Sequence, residues 1–261
     1  MSLKMKNDHT YESSYDSSLL RGIDDPQTPR PWDLFNEIKK YSSTEKILLD
    51  IGCGTAFKLL PLSPYLKRIL GLDISNSMLF AAKRKIENNN IENMQLIMAD
   101  SEKIPIAPRS IDLITSMLGR WNLKEFATAL KSNGIVIIEH IGCEDKKDFK
   151  KLFGRDEIGW RGQYIEYERD EYMASCYQHF HSYFKFVSIV NSYWNTYYTT
   201  QGLKLLLANT PTIRNYNEKY DEKFLNLAIK KFSRKNGVKL IQNRMLIHAT
   251  NNSELQISNS S

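Results

Sequence analysis

The segment from Leu48 to Ala56 reads Leu-Leu-Asp-Ile-Gly-Cys-Gly-Thr-Ala, a short apolar strand that runs into a glycine turn. A strand this apolar is typical of the centre of a parallel sheet, where ligands bind beyond the carboxyl ends of the strands. Gly52 and Gly54 allow the backbone to approach a ligand closely. Asp50 precedes the first glycine by two residues, which suits a ligand with an ammonium group. We therefore expect an α/β fold with a ligand site at this turn.

A dinucleotide-binding turn is an alternative interpretation of this segment. The fingerprint Gly-x-Gly-x-x-Gly would require glycine at position 57, where the chain has Phe57. The third glycine of that fingerprint permits close packing of helix and strand beside the phosphates, so a large aromatic residue disfavours a diphosphate. Asp50 also disfavours it, because a carboxylate repels a diphosphate. A nicotinamide oxidoreductase is therefore the least favoured function for this chain.

Four further apolar segments follow the glycine turn, and two of them lead to an acid. Asp73 closes the second predicted strand, 23 residues after Asp50, and Asp100 closes the third. Each such strand is common in doubly wound proteins, whereas their ordered combination is more specific. The segments that read as the second to fifth strands are Ile69 to Ser75, Met94 to Glu102, Ser110 to Met117 and Leu130 to Glu139. With the glycine turn, they make the chain resemble the class I S-adenosylmethionine-dependent methyltransferases, in particular the small-molecule, type 11-like branch.

The resemblance implies a Rossmann-like, doubly wound and mostly parallel sheet of seven strands, with S-adenosylmethionine as cofactor and S-adenosylhomocysteine as its product. It assigns the methionine portion to the glycine turn, the ribose to Asp73 and the adenine to Asp100, with Met78 packed on the adenine ring. One departure is Ala56, where the family often has a third glycine; alanine costs little there if its φ is negative. The cofactor-binding residues carried over by position are Asp50, Gly52, Cys53, Gly54, Asp73, Ile74, Met78, Asp100, Ser101, Glu102 and Ser116.

Composition indicates an enzyme-sized protein without a metal or a disulfide framework. The 261 residues, 41% of them hydrophobic, fit one α/β domain with an elaboration. Cys53, Cys143 and Cys176 lack Cys-x-x-Cys spacing, and no cluster of residues has metal-ligand spacing. The first residues lack the apolar region of a signal peptide, and no segment approaches the roughly 20 apolar residues that span a bilayer. We expect a cytoplasmic monomer or homodimer that does not contact a membrane.

The formal net charge of +6 raises the question of a nucleic-acid partner. The lysine runs are separate from one another and mostly fall near predicted helix ends, where cations complement the helix dipole. They are Lys83 to Lys85, Lys146 with Lys147, Lys150 with Lys151, and Lys230 to Lys235. The chain has no recognisable base-reading motif. A small-molecule partner is therefore the main prediction, and an RNA methyltransferase and a non-catalytic S-adenosylmethionine-binding module remain the alternatives.

The chain divides into three predicted parts. Residues 1–41 form an N-terminal lid and the first helices, in which Tyr15 would cover the cofactor and Arg21 would meet its carboxylate. A disordered leader explains the first residues equally well. Residues 42–250 form the S-adenosylmethionine-binding domain, with an insertion at about 142–183, and residues 251–261 form a disordered tail.

The last part of that domain is unusually rich in aromatic residues. Residues 160–198 hold 13 of the 29 aromatic residues, a density too high for a plain crossover connection. The spacing from Arg169 to Phe184 predicts a helix, and Phe184 to Tyr198 predicts a long strand. A helix from Asn217 to Lys235 follows, with Gly237 as its C-terminal cap. The aromatic-rich insertion forms either a satellite hydrophobic core or an acceptor pocket whose residues include Trp121, Trp160, Tyr164 and Tyr193.

The chemistry implied by the resemblance is an in-line displacement at the methyl carbon of the cofactor. Orientation of the reactants can supply roughly 7 to 11 kcal/mol of barrier reduction. A general base is needed only if the acceptor is an alcohol, a phenol or a protonated amine. The positional candidates are Glu139, His140, and His179 or His181 in the insertion, although each also fits a structural role. We therefore predict a methyltransferase that acts on a small molecule.

Overall fold

The structure is a computed structural model that describes residues 22–254. The strands of this range are β1 (Ile23–Asp24), β2 (Ile47–Ile51), β3 (Arg68–Asp73), β4 (Met94–Met98), β5 (Ile111–Met117), β6 (Leu130–Ile141), β7 (Arg155–Asp156), β8 (Gly159–Trp160), β9 (Phe186–Tyr198), β10 (Ser233–Arg234) and β11 (Gly237–Thr250). The α-helices are α1 (Leu34–Lys39), α2 (Asn76–Asn88), α3 (Leu123–Ala129), α4 (Lys147–Lys151), α5 (Arg169–His181), α6 (Thr200–Asn209) and α7 (Glu218–Phe232), and a 3-10 helix covers Leu60–Tyr65.

Backbone contacts divide the described range into two compact units. The larger unit comprises residues 32–141, 170–192 and 244–254. The smaller unit comprises residues 22–31, 142–169 and 193–243. Tyr15 and Arg21 of the predicted lid, and residues 255–261 of the predicted tail, lie outside the described residues.

The larger unit is built on a mostly parallel sheet. Strand β2 pairs in parallel with β3 on one side and with β5 on the other. Strand β4 extends the sheet beyond β3, and β6 extends it beyond β5, both in parallel. The carboxyl-terminal half of β11 then runs antiparallel to β6, with Met245 opposite His140. The predicted Rossmann-like, doubly wound arrangement is confirmed, with β2 and its glycine turn at the centre.

The core of the larger unit explains why these segments form strands and helices. Leu48, Ile69 and Leu113 are fully buried side chains on three neighbouring strands, and they belong to one hydrophobic cluster. Helix α2 begins where the Ser75 hydroxyl accepts a hydrogen bond from the Met78 amide at 3.4 Å. Because β2, β3, β4 and β5 pair in parallel, their carboxyl ends lie at one edge of the sheet.

The smaller unit has its own hydrophobic core and several antiparallel pairs. Strand β1 pairs with β9, β7 with β8, and β10 with β11. The predicted count of seven strands does not include β1, β7, β8 and β10, because two-residue strands leave no apolar pattern in a sequence. The second core is formed by residues that include Phe149, Phe153, Tyr198, Leu203, Leu207, Leu225 and Leu240.

The end of α7 differs from the sequence prediction. The helix begins after Asn217, as predicted, but it ends at Phe232, and Gly237 starts β11 opposite Arg234. The prediction that Gly237 caps this helix is therefore wrong. Its φ of +123° and the 2.7 Å that would separate an added Cβ from the Tyr198 carbonyl oxygen explain the glycine instead.

The aromatic-rich region forms the predicted helix and strand, α5 and β9. Tyr172, Phe180 and Phe184 are buried in the larger unit, and Tyr198 belongs to the core of the smaller unit. Part of the region therefore serves packing. Within residues 22–254, no helix is both long and apolar enough to cross a bilayer.

Candidate functional site

The turn after β2 is an open backbone surface. Gly52 and Gly54 have φ values of +71° and +55°, in the left-handed region that favours glycine. A Cβ atom added to Gly54 would meet no other atom within 4 Å. The amides of Gly52 and Cys53 both donate to the Leu72 carbonyl, at 2.8 and 3.0 Å, which fixes the turn to the end of β3. A ligand can therefore approach the Gly54 backbone closely.

Ala56 does not have the negative φ at which alanine would cost little. Its φ is +56°, and its side chain is fully buried. A left-handed conformation costs a residue with a Cβ about 1 to 2 kcal/mol. The chain therefore tolerates alanine at this position at the expense of conformational strain.

Asp50 lies buried at the centre of this turn, with 2% of its surface exposed. Its Oδ1 accepts a hydrogen bond from the Thr115 hydroxyl at 2.7 Å. Its Oδ2 is buried without a hydrogen-bond donor among the described residues, and the nearest recorded cation is the Lys58 ammonium at 3.8 Å. Burial raises the pKa of Asp50, whereas Lys58 and the Thr115 hydroxyl lower it. Such a carboxylate is stabilised by a further cationic donor.

Asp73 connects the glycine turn to the start of α2. Its Oδ2 accepts from the Gly54 amide at 2.8 Å, and its Oδ1 accepts from the Ser75 amide at 2.9 Å. A carboxylate has about four acceptor positions, so these two bonds leave acceptor capacity for the hydroxyl groups of a ligand. The side chain is half-buried, which keeps it accessible from the carboxyl edge of the sheet.

Two exposed apolar side chains adjoin Asp73. Ile74 follows it in the chain and is 68% exposed, while Met98 lies opposite it in the register of β3 and β4 and is 66% exposed. Met78, the predicted adenine contact, is buried in α2 with 8% exposure. Met98 is therefore the better placed methionine for stacking on a planar ring. The sequence analysis missed it, although it lies only two residues before Asp100.

The loop after β4 is tied to the start of α3. The Asp100 carboxylate accepts from the Glu102 amide at 3.0 Å. The Asn122 amide group donates to both the carbonyl and the carboxylate of Glu102, at 3.2 Å each, and Asn122 also caps α3. Asp100 and Glu102 are exposed and Ser101 is half-buried, so this predicted adenine-binding segment is ordered and accessible.

Two predicted cofactor residues have side chains that face the interior. Ser116 is fully buried, and its hydroxyl donates to the Ile51 carbonyl at 2.9 Å. Cys53 is 1% exposed, and burial raises the pKa of its thiol. The contact of Ser116 with the cofactor stays a prediction, and its hydroxyl is engaged by the Ile51 carbonyl. Both side chains support the turn from below.

The loop after β5 packs directly on the glycine turn. A Cβ added to Gly119 would lie 2.7 Å from the Ser116 hydroxyl and 3.1 Å from the Ile51 carbonyl, so only glycine fits. A Cβ added to Gly52 would lie 3.6 Å from the Gly119 Cα. Leu118 has a φ of +59° and is 42% exposed. Leu118 and Gly119 therefore belong to the candidate site, and the only sequence signal for them is their place after a strand end.

An aromatic cluster follows this loop. The Trp121 ring lies 4.2 Å from the His140 ring and 5.3 Å from the Phe180 ring, measured between centroids. His140 Nε2 lies 3.0 Å from the Tyr172 hydroxyl. Burial, and to a smaller extent the charge of Arg244, lower the pKa of His140 to about 3. His140 is thus a neutral hydrogen-bonding group at pH 7 and a poor general base.

The other two candidate bases are not brought together with His140. Glu139 is 1% exposed, and its Oε2 accepts from the Trp32 indole at 2.9 Å. It points to the opposite face of β6 from His140, because neighbouring side chains of a strand alternate. His179 lies on the exposed side of α5, 6.1 Å from the Tyr183 ring. Their catalytic roles stay predictions.

Three of the predicted acceptor residues belong to the smaller unit. Trp160 lies in β8, with the Arg155 guanidinium 5.3 Å from its ring centroid. Tyr164 is buried, and the Tyr193 hydroxyl hydrogen-bonds to the Glu144 carboxylate. Their role in binding an acceptor stays a prediction. Across residues 22–254, no three His, Cys, Asp or Glu side chains are grouped to hold a metal ion.

Comparison with known families supports this geometry. Residues 48–134 match the model of a family described as a methyltransferase domain. That range contains the glycine turn, Asp73, Asp100 and the loop after β5. Residues 48–134 belong to the class I S-adenosylmethionine-dependent methyltransferases. The family recognised from the ordered strand ends is thereby confirmed for this part of the chain.

Curated relatives match between a third and a half of the chain. CRG1 of Saccharomyces cerevisiae, a probable S-adenosylmethionine-dependent methyltransferase, is 36% identical over 89 residues, which are 33% of this chain and 31% of CRG1. YcgJ of Bacillus subtilis, an uncharacterized methyltransferase, is 28% identical over 109 residues, 39% of this chain and 43% of YcgJ. A malonyl-[acyl-carrier protein] O-methyltransferase of Marinomonas sp. is 31% identical over 129 residues, 46% of this chain and 47% of that protein. The chain thus spans less than half the length of each of these relatives.

The solved structure of YcgJ shows that the likeness of fold extends further. It matches 84% of this chain and 98% of its own, with a TM-score of 0.58 and 20% sequence identity. At this identity the likeness concerns the fold alone. It confirms the Rossmann-like methyltransferase fold that the sequence predicts.

Proposed function

We propose that the chain is an S-adenosylmethionine-dependent methyltransferase that acts on a small-molecule acceptor. The observation that carries this proposal is the open glycine turn between two carboxylates. Gly54 leaves unobstructed space above the turn, and Asp50 and Asp73 lie at the ends of the two strands beside it. Carboxylates at this position attract a cationic cofactor and repel a diphosphate.

The residues present fit each portion of S-adenosylmethionine. Asp50 would hold the ammonium group, because its Oδ2 lacks a hydrogen-bond donor among the described residues. Asp73 retains acceptor capacity for the ribose hydroxyls. Ile74 and Met98 would flank the adenine ring, and the segment from Asp100 to Glu102 would meet its polar edge. Each assignment uses the chemistry that the side chain or the backbone offers.

When bound, the cofactor supplies a methyl group on a positively charged sulfur. The chain contributes position and a dry environment. Leu118 and Gly119 pack beside the glycine turn and would exclude water from the space above it. Trp121 presents a half-buried aromatic face next to this loop, and such faces attract sulfonium and ammonium charge. Alignment of acceptor and methyl group is then the main source of catalysis.

We place the acceptor against the half-buried Trp121 ring, which packs on the buried side chains of His140 and Phe180. The neutral imidazole of His140 and the Tyr172 hydroxyl, 3.0 Å apart, are the polar atoms of this cluster. This combination suits a flat or apolar small molecule with one hydrogen-bonding group. The O-methyltransferase among the relatives is named for an acceptor other than a nucleic acid, which is consistent with this choice.

Transfer of radiolabelled methyl from S-adenosylmethionine into an extract of the source organism tests the proposal. The extract is separated afterwards into small-molecule, RNA and protein fractions, and the Gly54→Ala variant serves as the inactive control. We expect label in the small-molecule fraction. Label in RNA would favour the alternative of an RNA methyltransferase, which the net charge of +6 raises. Cofactor binding without label in any fraction would favour a non-catalytic binding module.

A further inference from the structure

The charged groups next to the glycine turn include a lysine that no comparison assigns. Lys58 lies in the turn before the 3-10 helix, and only 15% of its side chain is exposed. Its ammonium group is 3.8 Å from Asp50 Oδ2. A lysine this buried is uncommon unless it is paired, and the pair here is too long for a hydrogen bond. The two charges neutralise each other without a direct bond between them.

The backbone of the turn has few donors left for an anion. The amides of Gly52 and Cys53 donate to the Leu72 carbonyl, and the Gly54 amide donates to Asp73. The Ala56 amide donates to the Cys53 carbonyl at 3.0 Å. Four amides that would otherwise bind a carboxylate are therefore engaged. A ligand with a carboxylate needs another donor at this place.

The proposed cofactor ends in an amino acid, which carries both an ammonium group and a carboxylate. Resting on the proposed function, we propose that Lys58 binds the carboxylate of the methionine portion while Asp50 binds its ammonium group. The Asp50 carboxylate and the Lys58 ammonium together complement a zwitterionic ligand. Each charge of the ligand then meets an opposite charge of the protein.

Binding then exchanges one ion pair for two. Asp50 Oδ2 has no exposed surface, so an ammonium group reaches it only when a neighbouring side chain moves. Lys58 has the long, flexible stem that allows such a movement. As the ammonium group of the ligand takes up the pairing with Asp50, Lys58 turns to the carboxylate of the ligand. Neither buried charge loses its partner, which avoids the large penalty of an unpaired buried ion.

Lys85 does not fill the same role. Its ammonium group already donates a hydrogen bond to the Thr55 hydroxyl at 3.1 Å. Lys58, by contrast, has only the long pairing with Asp50 among the described contacts. Lys58 is therefore the cation that can rearrange.

The test measures binding and does not depend on catalysis. Calorimetry compares S-adenosylhomocysteine with its decarboxylated analogue, which keeps the ammonium group and lacks the carboxylate, in the wild type and in Lys58→Met. We expect the wild type to prefer S-adenosylhomocysteine by at least tenfold, as for one charge-assisted hydrogen bond. In Lys58→Met this preference should disappear. The affinity for S-adenosylhomocysteine should fall, whereas the affinity for the analogue should not, because the analogue lacks the carboxylate that Lys58 binds. Lys58→Gln provides the same comparison if Lys58→Met does not fold.

Lys131→Met is the matched control. Lys131 pairs with Asp112 at 2.8 Å at the amino-terminal end of β5, so the variant removes the same charge away from the glycine turn. It should keep the preference of the wild type. A preference that survives in Lys58→Met, or an equal loss of affinity for both ligands, would overturn the role of Lys58. Failure of the folded wild type to bind either ligand would instead reject the proposed function itself.

Discussion

At the residue scale, the strain at Ala56 makes a prediction about stability. A left-handed alanine costs about 1 to 2 kcal/mol, whereas glycine adopts this φ freely but loses about 0.5 to 1 kcal/mol in backbone entropy. Ala56 is fully buried, so glycine also loses the burial of one methyl group, about 0.8 kcal/mol. We therefore expect Ala56→Gly to change the free energy of unfolding by less than about 1 kcal/mol, because the relieved strain offsets both losses. Urea unfolding followed by circular dichroism measures the difference.

Ala107→Gly is the control for this substitution. Ala107 is exposed in a turn and has no positive φ, so only the entropy loss of glycine applies. We expect no stabilisation from it. A loss of more than about 1 kcal/mol in Ala56→Gly would mean that the turn does not hold residue 56 in the left-handed region.

Single residues of the site differ in how far sequence reasoning could find them. Asp50, Gly54 and Asp73 follow from local spacing, because their roles depend on the strand ends that carry them. Met98 and Leu118 do not, because their exposure depends on strand register and on loop packing. Sequence spacing predicts that a residue lies at a strand end, but it does not predict whether the side chain is exposed.

At the element scale, the glycine turn is tested by a pair of substitutions with the same backbone strain. Gly54 and Gly154 have φ values of +55° and +73°, and a Cβ added to either meets no atom within 4 Å. Gly54→Ala and Gly154→Ala should each lower stability by about 1 to 2 kcal/mol. Only Gly54→Ala should weaken S-adenosylhomocysteine binding, by tenfold or more, because its methyl group occupies the space of the ligand.

Calorimetric titration of both variants decides between the two effects. Wild-type affinity in both Gly54→Ala and Gly154→Ala would show that the turn after β2 does not bind the cofactor. Equal losses in both would trace the effect to stability and not to the site. Thermal denaturation of each variant confirms that the strain is matched.

Elements with a strong sequence pattern could be predicted, whereas elements that depend on strand pairing could not. Helix α5 and strand β9 follow from spacing and from strand-forming residues. The end of α7 does not, because β10 takes two residues that local propensity assigns to the helix. The hairpin between β10 and β11 is a tertiary feature, and Gly237 reports its close approach to Tyr198. The inward direction of the Ser116 hydroxyl also depends on tertiary packing, because the hydroxyl donates to the Ile51 carbonyl.

At the scale of the whole molecule, two buried histidines govern stability in acid. Burial lowers the pKa of His140 to about 3 and that of His248 to about 4, from an ordinary value of 6.5. Below pH 6.5 the unfolded chain binds a proton at each site and the folded chain does not, so stability falls as the pH drops. We expect a loss of about 2 kcal/mol per histidine between pH 7 and pH 5. Urea unfolding at pH 7, 6 and 5 measures it.

His248→Asn isolates one of the two contributions. It removes the titrating imidazole that packs against the Tyr41 ring at 5.9 Å, so the fall in stability between pH 7 and pH 5 should shrink by about 2 kcal/mol. Identical pH dependence in the wild type and His248→Asn would show that His248 is accessible to protons in the folded state.

The most direct test of the cofactor site is calorimetric titration of S-adenosylhomocysteine into the wild type and into Asp73→Ala. We expect one molecule to bind per chain. Asp73→Ala should bind it about 1 to 3 kcal/mol more weakly, as for lost hydrogen bonds to a charged group. No binding by the folded wild type, or the same affinity in Asp73→Ala, would contradict the assignment of this sheet edge to S-adenosylmethionine.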